Sequence, residues 1–386
     1  MLKTSYFIAL LLAFGCIFSC QDDDSNVVDP TPMTFVDDPS TYMFNRAGTS
    51  SVSFTGQTER ADMLAAMVDY LQTGNNGELM EAAILKEAFR NEGGNGAGFF
   101  DFTSSNQLEN MLFGPDLDND VFDDLFEQAA IASKTETSAS NGQPGLITRE
   151  NTGTTILVNN RGHDFSEFIE KGVIGSVFLN QIFNTFLTTE FTGEEVDNIT
   201  IAEGNNFTDL EHHWDEAFGY FQAPGDFGSA FPANRAGELR FWSEYSNVVD
   251  PILGISDRIM DAYRNGREAI LANDFEIINE SRDILYQELE LLAAATTLSF
   301  INLSLDNLEN GDTGEFFNSL SQAYMFANAL RISPRRIISL SEIHNLQNVD
   351  FGIGANFWDA NADGLNEAKN KILNSYPSLE AVQDEL

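Results

Sequence analysis

Residues 209–221 read DLEHHWDEAFGYF and hold two of the four histidines in the chain among four acids. Imidazole and carboxylate are the side chains that ligate cations and exchange protons near neutral pH. At about 100° per residue, Asp209, His212, His213 and Glu216 fall within roughly a third of a helix circumference. Leu210, Trp214, Ala217 and Phe221 form an apolar stripe beside them. Side chains three or four residues apart are helix neighbours, so His213 with Glu216 and Asp209 with His212 have the spacing of a shared ion. The competing reading is the solvated face of a very acidic protein. One helix also supplies only two or three of the ligands that a closed metal site needs.

A second segment, RGHDFSEFIEK, places His163, Glu167 and Glu170 on one strip with Asp164 beside Glu167. It opens an apolar helix, where a carboxylate also complements the helix dipole, and that is the competing role for Asp164. The candidate ligands are Asp164, Glu167, His212, His213 and Glu216. A shared site requires His213 and Glu216 to meet Asp164 or Glu167 across the fold.

The elements that must position these groups are helical. Residues 57–73 place Met63, Met67, Val68 and Leu71 on one stripe, and residues 77–91 repeat the pattern. A glycine-rich loop follows, then a helix over 119–134 and a Ser/Thr/Gly/Pro loop to about residue 150. The run after Asp164 is apolar nearly all round, as a buried helix is, and Gly172 and Gly175 allow a neighbour to approach closely. Further helices are expected over 235–250 and 256–272 with an interruption at Pro251, then over 274–309, 314–331, 334–347 and 362–375. A strand signal is confined to TSSVSFT, residues 49–55. The expected fold is all-α, two packed helical bundles spanning 41–230 and 231–386.

The first residues, MLKTSYFIALLLAFGCIFSC, carry one basic residue, Lys3, before an apolar run that stops at Ser19-Cys20. This is the pattern of a secretory signal, shorter than the roughly 20 apolar residues of a membrane span. Ile17-Phe18-Ser19-Cys20 resembles a bacterial lipobox, with Phe18 departing from the usual residue. The resemblance implies a signal peptide over 1–19 and acylation of Cys20. Residues 20–40 are polar, acidic and proline-containing, a flexible tether. The acids behind Cys20 resemble the surface-export signal of Bacteroidota lipoproteins, which implies an outer-membrane lipoprotein exposed at the cell surface. Cys16 leaves with the signal, so no intrachain disulfide can form and burial must hold the core together.

Twenty basic residues face 60 acidic ones, a formal charge of −40, and loss of Lys3 makes the processed chain one unit more negative. Such a surface repels nucleic acid and attracts cations or basic partners. With 42% apolar residues and 32 phenylalanines the chain is not disordered. The roughly 345 residues after the tether suffice for one large domain or two halves.

SFTGQTERADML (53–64), FIEKGVIGSVFLNQIFN (168–184) and EHHWDEAFGYF (211–221) resemble the imelysin-like (peptidase M75-related) superfamily, and more narrowly a lipoprotein family within it, from about Tyr42 to the C-terminus. The resemblance implies two helical bundles as duplicated halves, a link to iron uptake with a transporter as partner, and a Gly-x-His-x-x-Glu motif that gave such proteins a peptidase label. Gly162 and Glu167 match that motif, but Asp164 stands at the histidine position. The substitution shifts the site from zinc toward harder cations, iron favoured, with calcium or zinc as alternatives.

No His-Glu-x-x-His, Gly-x-Ser-x-Gly, phosphate-binding loop or Cys-x-x-Cys-His occurs, and processing leaves no nucleophilic cysteine. His344 reads as a surface residue at a helix end. The expected function is a surface-anchored lipoprotein binding a metal cation or an iron-containing ligand. The alternatives are a metallopeptidase and a structural or adhesive surface protein.

Overall fold

A computed structural model describes residues 40–114 and 119–386. The expected signal peptide, Cys20 and nearly all of the expected tether lie outside the described residues. Ser40 onward leads into a minimal antiparallel hairpin, β1 (Asn45–Arg46) and β2 (Thr49–Ser50). The strand expected over 49–55 shrinks to β2 because α1 (Thr55–Asn75) starts at its end. α2 (Ala82–Arg90) and α3 (Asn119–Ala132) follow.

The loop expected up to residue 150 instead contains β3 (Gly145–Thr148), paired antiparallel with β4 (Thr155–Val158). Thr155, Ile156, Leu157 and Val158 are β-branched or apolar, and Ile156, Leu157 and Val158 are buried against the helices. Their strand preference was hidden in the sequence by the polar residues around them.

Next come α4 (Phe165–Val173), α5 (Thr189–Thr192), α6 (Asp209–Phe221), α7 (Trp242–Leu253), α8 (Ile255–Ala272), α9 (Phe275–Asn310), α10 (Thr313–Ala329), α11 (Leu340–Asn345) and α12 (Ala362–Ser375). After α4 the chain stays helical but widens into π-type turns over Ile174–Leu179 and Ile182–Phe186. Pro251 does not interrupt the helix. α7 runs through it and stops at Gly254, whose left-handed backbone (φ +59°) turns the chain into α8. α11 starts six residues later than expected, behind a Ser339–Glu342 capping box, because the stretch after Pro334 is not helical.

The all-α expectation is borne out. α9, 36 residues long, is the central element and packs on α8, α10 and α12. It is long and apolar enough to cross a membrane, but 72% of that apolar stretch is buried inside the protein. α10 packs on α4, and α6 packs on α1 and α8, so helices from either side of residue 231 interleave. The described residues fall within one compact unit.

Small residues set the closest approaches. A Cβ on Gly175 would lie 3.2 Å from the Ala329 Cβ, so α10 seats against this glycine as its position suggested. At Gly266 a Cβ would fall 2.0 Å from the Trp214 ring, so only glycine lets α8 close onto α6.

Candidate functional site

α6 covers residues 209–221 as expected, and it is capped by its own acid. Thr208 Oγ accepts from the Glu211 amide at 3.3 Å while Glu211 Oε2 accepts from the Thr208 amide at 2.8 Å. The same Glu211 is fully buried and bound by two guanidinium groups. Arg46 of β1 donates at 2.8 and 2.9 Å, and Arg267 of α8 donates at 3.0 Å. One turn on, Asp215 accepts from Arg267 Nε at 3.0 Å, from the Tyr42 hydroxyl at 2.7 Å and from the Ser53 amide at 3.1 Å. Tyr42 in turn stacks on Phe218 at 3.9 Å. Burial pushes the Asp215 carboxyl up to about 6 even with Arg267 opposing it. For Glu211 burial acts the same way, but Arg46 and Arg267 outweigh it and hold its carboxyl low.

The two acids that the helix wheel left outside the candidate strip are therefore the ones at the heart of α6. Leu210, Trp214, Ala217 and Phe221 are buried as the apolar stripe requires, and Asp209 is exposed.

His212 and Glu216 come together on the half-buried edge of the helix, with Nε2 of the imidazole 3.8 Å from Oε1 of the carboxylate. His212 Nδ1 lies 3.0 Å from the Ser53 carbonyl oxygen, which can only accept, so Nδ1 carries a proton and Nε2 is the nitrogen that faces Glu216. A backbone carbonyl fixing the far nitrogen is how metal-binding imidazoles are commonly oriented. Glu216 also accepts from Gln57 of α1 at 3.0 Å. His213 turns to the other flank, its Nδ1 donating to the Phe191 carbonyl at 2.8 Å, and its ring meets Phe191 edge-on.

The start of α4 makes a different cluster. Asp164 is its N-cap, accepting from the Ser166 amide at 3.0 Å and hydroxyl at 2.7 Å and from Asn318 of α10 at 3.0 Å. The same Asn318 amide reaches Glu167 at 3.1 Å, and the buried Lys171 pairs with Glu167 and Glu170 at 2.9 Å each. Burial, then the Glu167 charge, pushes Asp164 up to about 6. Burial works against the Lys171 ammonium, but its two carboxylates hold it above the usual range. His163 donates from Nε2 to the Ala355 carbonyl at 2.6 Å, accepts at Nδ1 from Asn159, and stacks on Phe168. Burial lowers it to about 4, so it stays neutral.

The structure thus pairs Asp164 with Glu167 and His212 with Glu216. The polar partners of the first pair lie on α4 and α10, those of the second on Ser53 and α1, and none is shared. Among the described residues no three His, Cys, Asp or Glu side chains are gathered around one point. His344 is an exposed residue in the last turn of α11.

Sequence reasoning missed Arg267, Arg46 and Tyr42. They lie 52 to 173 positions from the acids they hold, and no local pattern marks them. For the two arginines the only hint was rarity, cations in a chain where acids outnumber them threefold.

No curated protein and no solved structure gives a significant match. A family does match, over residues 39–377, and this range takes in the Tyr42 clamp, both histidine segments and every helix from α1 to α12. The chain belongs to the family described as a domain of unknown function (DUF4856).

Proposed function

We propose that the protein is a lipoprotein acylated at Cys20 and tethered over residues 20–40, whose helical body captures a divalent cation, iron favoured, at the His212–Glu216 edge of α6. One observation carries the reading: an imidazole nitrogen and a carboxylate oxygen face each other 3.8 Å apart while the other ring nitrogen is committed to the Ser53 carbonyl. An imidazole nitrogen and a carboxylate oxygen on one edge form a ligand pair for a cation, and a mixed nitrogen and oxygen pair suits iron or zinc better than calcium. The remaining coordination positions are left to water or to groups of an incoming iron-containing ligand. The formal charge of −40 concentrates cations near this edge. The imelysin-like resemblance adds iron uptake as the setting, the outer face of the outer membrane as the location and a transporter as the partner. Hydrolysis, which takes about three protein ligands and an activated water, is outside this reading.

The test is metal analysis of the detergent-solubilised protein, stripped and reloaded with ferrous iron. His212→Ala and Glu216→Gln should each weaken retention about tenfold or more, while His163→Gln leaves it unchanged. Equal retention in the double variant refutes the site. Cys20→Ala should move the protein out of the membrane fraction, and persistence there refutes the anchor.

A further inference from the structure

A cleft of about 580 Å³ lies far in sequence from α6, between α3 and the 159–163 turn. Its two walls differ in chemistry. On the α3 side stand Leu125 and Ile131, and Ile131 is 63% exposed, an apolar side chain left uncovered inside a concave surface. On the facing side stands Arg161, which is exposed and makes one side-chain hydrogen bond, to the Gly354 carbonyl at 3.0 Å. Most cations of this chain are tied to carboxylates; Arg161 has none within 4 Å among the described residues. A guanidinium has five N–H donors in a planar fork, so Arg161 keeps a two-donor edge that matches a carboxylate. Asp124 and Gln128 on α3 bring acceptor oxygens to the same cleft, and the Gln128 amide is already spent on Asp124 at 2.6 Å.

The turn that presents Arg161 is rigid. Asn159 Oδ1 accepts from the Arg161 amide at 2.8 Å and the His163 amide at 3.0 Å, and His163 locks the turn to Ala355. A preformed concave site with an apolar wall and a few convergent polar groups is the usual form of a small-ligand pocket.

We infer that this cleft binds an N-acylated apolar amino acid, the chemistry of a peptide C-terminus. The carboxylate sits on Arg161, the aliphatic side chain lies against Ile131 and Leu125, and the amide N–H faces the acceptors of Asp124 and Gln128. The cleft distinguishes this ligand from a plain anion because Asp124 disfavours a second negative charge and favours a donor.

The probe is N-acetyl-leucine, with N-acetyl-leucinamide as control, read by ligand-observed saturation transfer on the full protein. The acid should bind, and the amide, lacking the charge that Arg161 reads, should bind about tenfold more weakly or worse. Arg161→Met and Ile131→Asp should each weaken the acid by about tenfold or more. The second variant alters an exposed side chain on the opposite wall, so it tests the site without disturbing the turn that His163 holds. No signal from the acid, equal binding of acid and amide, or wild-type binding in either variant overturns the inference.

Discussion

Arg267→Met tests the clamp on α6 most directly. Arg267 is fully buried and is bound to two buried carboxylates, each at 3.0 Å. Methionine keeps much of the volume and removes the charge. Glu211 retains Arg46 and the Thr208 amide, so it stays compensated. Asp215 loses its cation and keeps only the Tyr42 hydroxyl and the Ser53 amide. Breaking a buried pair by removing one partner costs about 3–5 kcal/mol, and here one carboxylate is stranded, so that range applies once.

The loss must also depend on pH. The Asp215 carboxyl is already pushed up to about 6 by burial, and without Arg267 it rises further. A group whose folded pKa is raised contributes its stability fully below the unfolded value and loses it as pH rises through the folded value. The variant should therefore be closer to wild type at pH 5 than at pH 8. Urea unfolding followed by tryptophan fluorescence measures both, since Trp214 lies on the same helix and hydrogen-bonds α8 through Tyr263. Adding Asp215→Asn to the Arg267→Met variant should recover most of the loss at pH 8. A loss below about 1 kcal/mol at pH 8, or equal losses at the two pH values, refutes the account of a stranded carboxylate.

Two further predictions concern α4. His163 is held down at about 4 and Asp164 is pushed up to about 6, so these neighbours titrate with opposite consequences in one pH window. The lowered histidine costs stability as pH falls from about 6.5 to 4, and the raised carboxyl costs stability as pH rises from about 4 to 6, each by about 3 kcal/mol. Asp164→Asn should make the protein gain stability relative to wild type as pH rises across that window, and His163→Gln should make it lose stability; chemical denaturation at pH 4.5 and 6.5 reads both, and matching slopes in the two variants would sink the assignment. Val177→Asp places a carboxylate at a fully buried point of the π-widened helix after α4, at a cost of several kcal/mol; an unchanged melting curve by circular dichroism would show that this helix is not central.

Much of the scaffold was legible because it depends on local spacing. The stripe Met63, Met67, Val68, Leu71 announced α1, the apolar run after residue 274 announced α9, and the 209–221 pattern matched α6 at both ends. The hairpin of β3 and β4 was not legible, since its polar surroundings read as loop. Nor was the fate of Pro251, because a proline near the end of a helix removes a bond that the neighbouring turns can do without.

The candidate site divides in the same way. That His212 and Glu216 can meet follows from four-residue spacing on a helix, which the chain decides by itself. That Glu211 and Asp215 are buried, and that His213 turns from His212 toward Phe191, depends on which elements arrive beside α6. Arg267 comes from a helix 52 residues on and Tyr42 from a segment 173 residues back. Periodicity says which side chains share a face. Only the tertiary contacts decide what each face meets, because the charges that pair a buried carboxylate come from parts of the chain with no short-range relation to it.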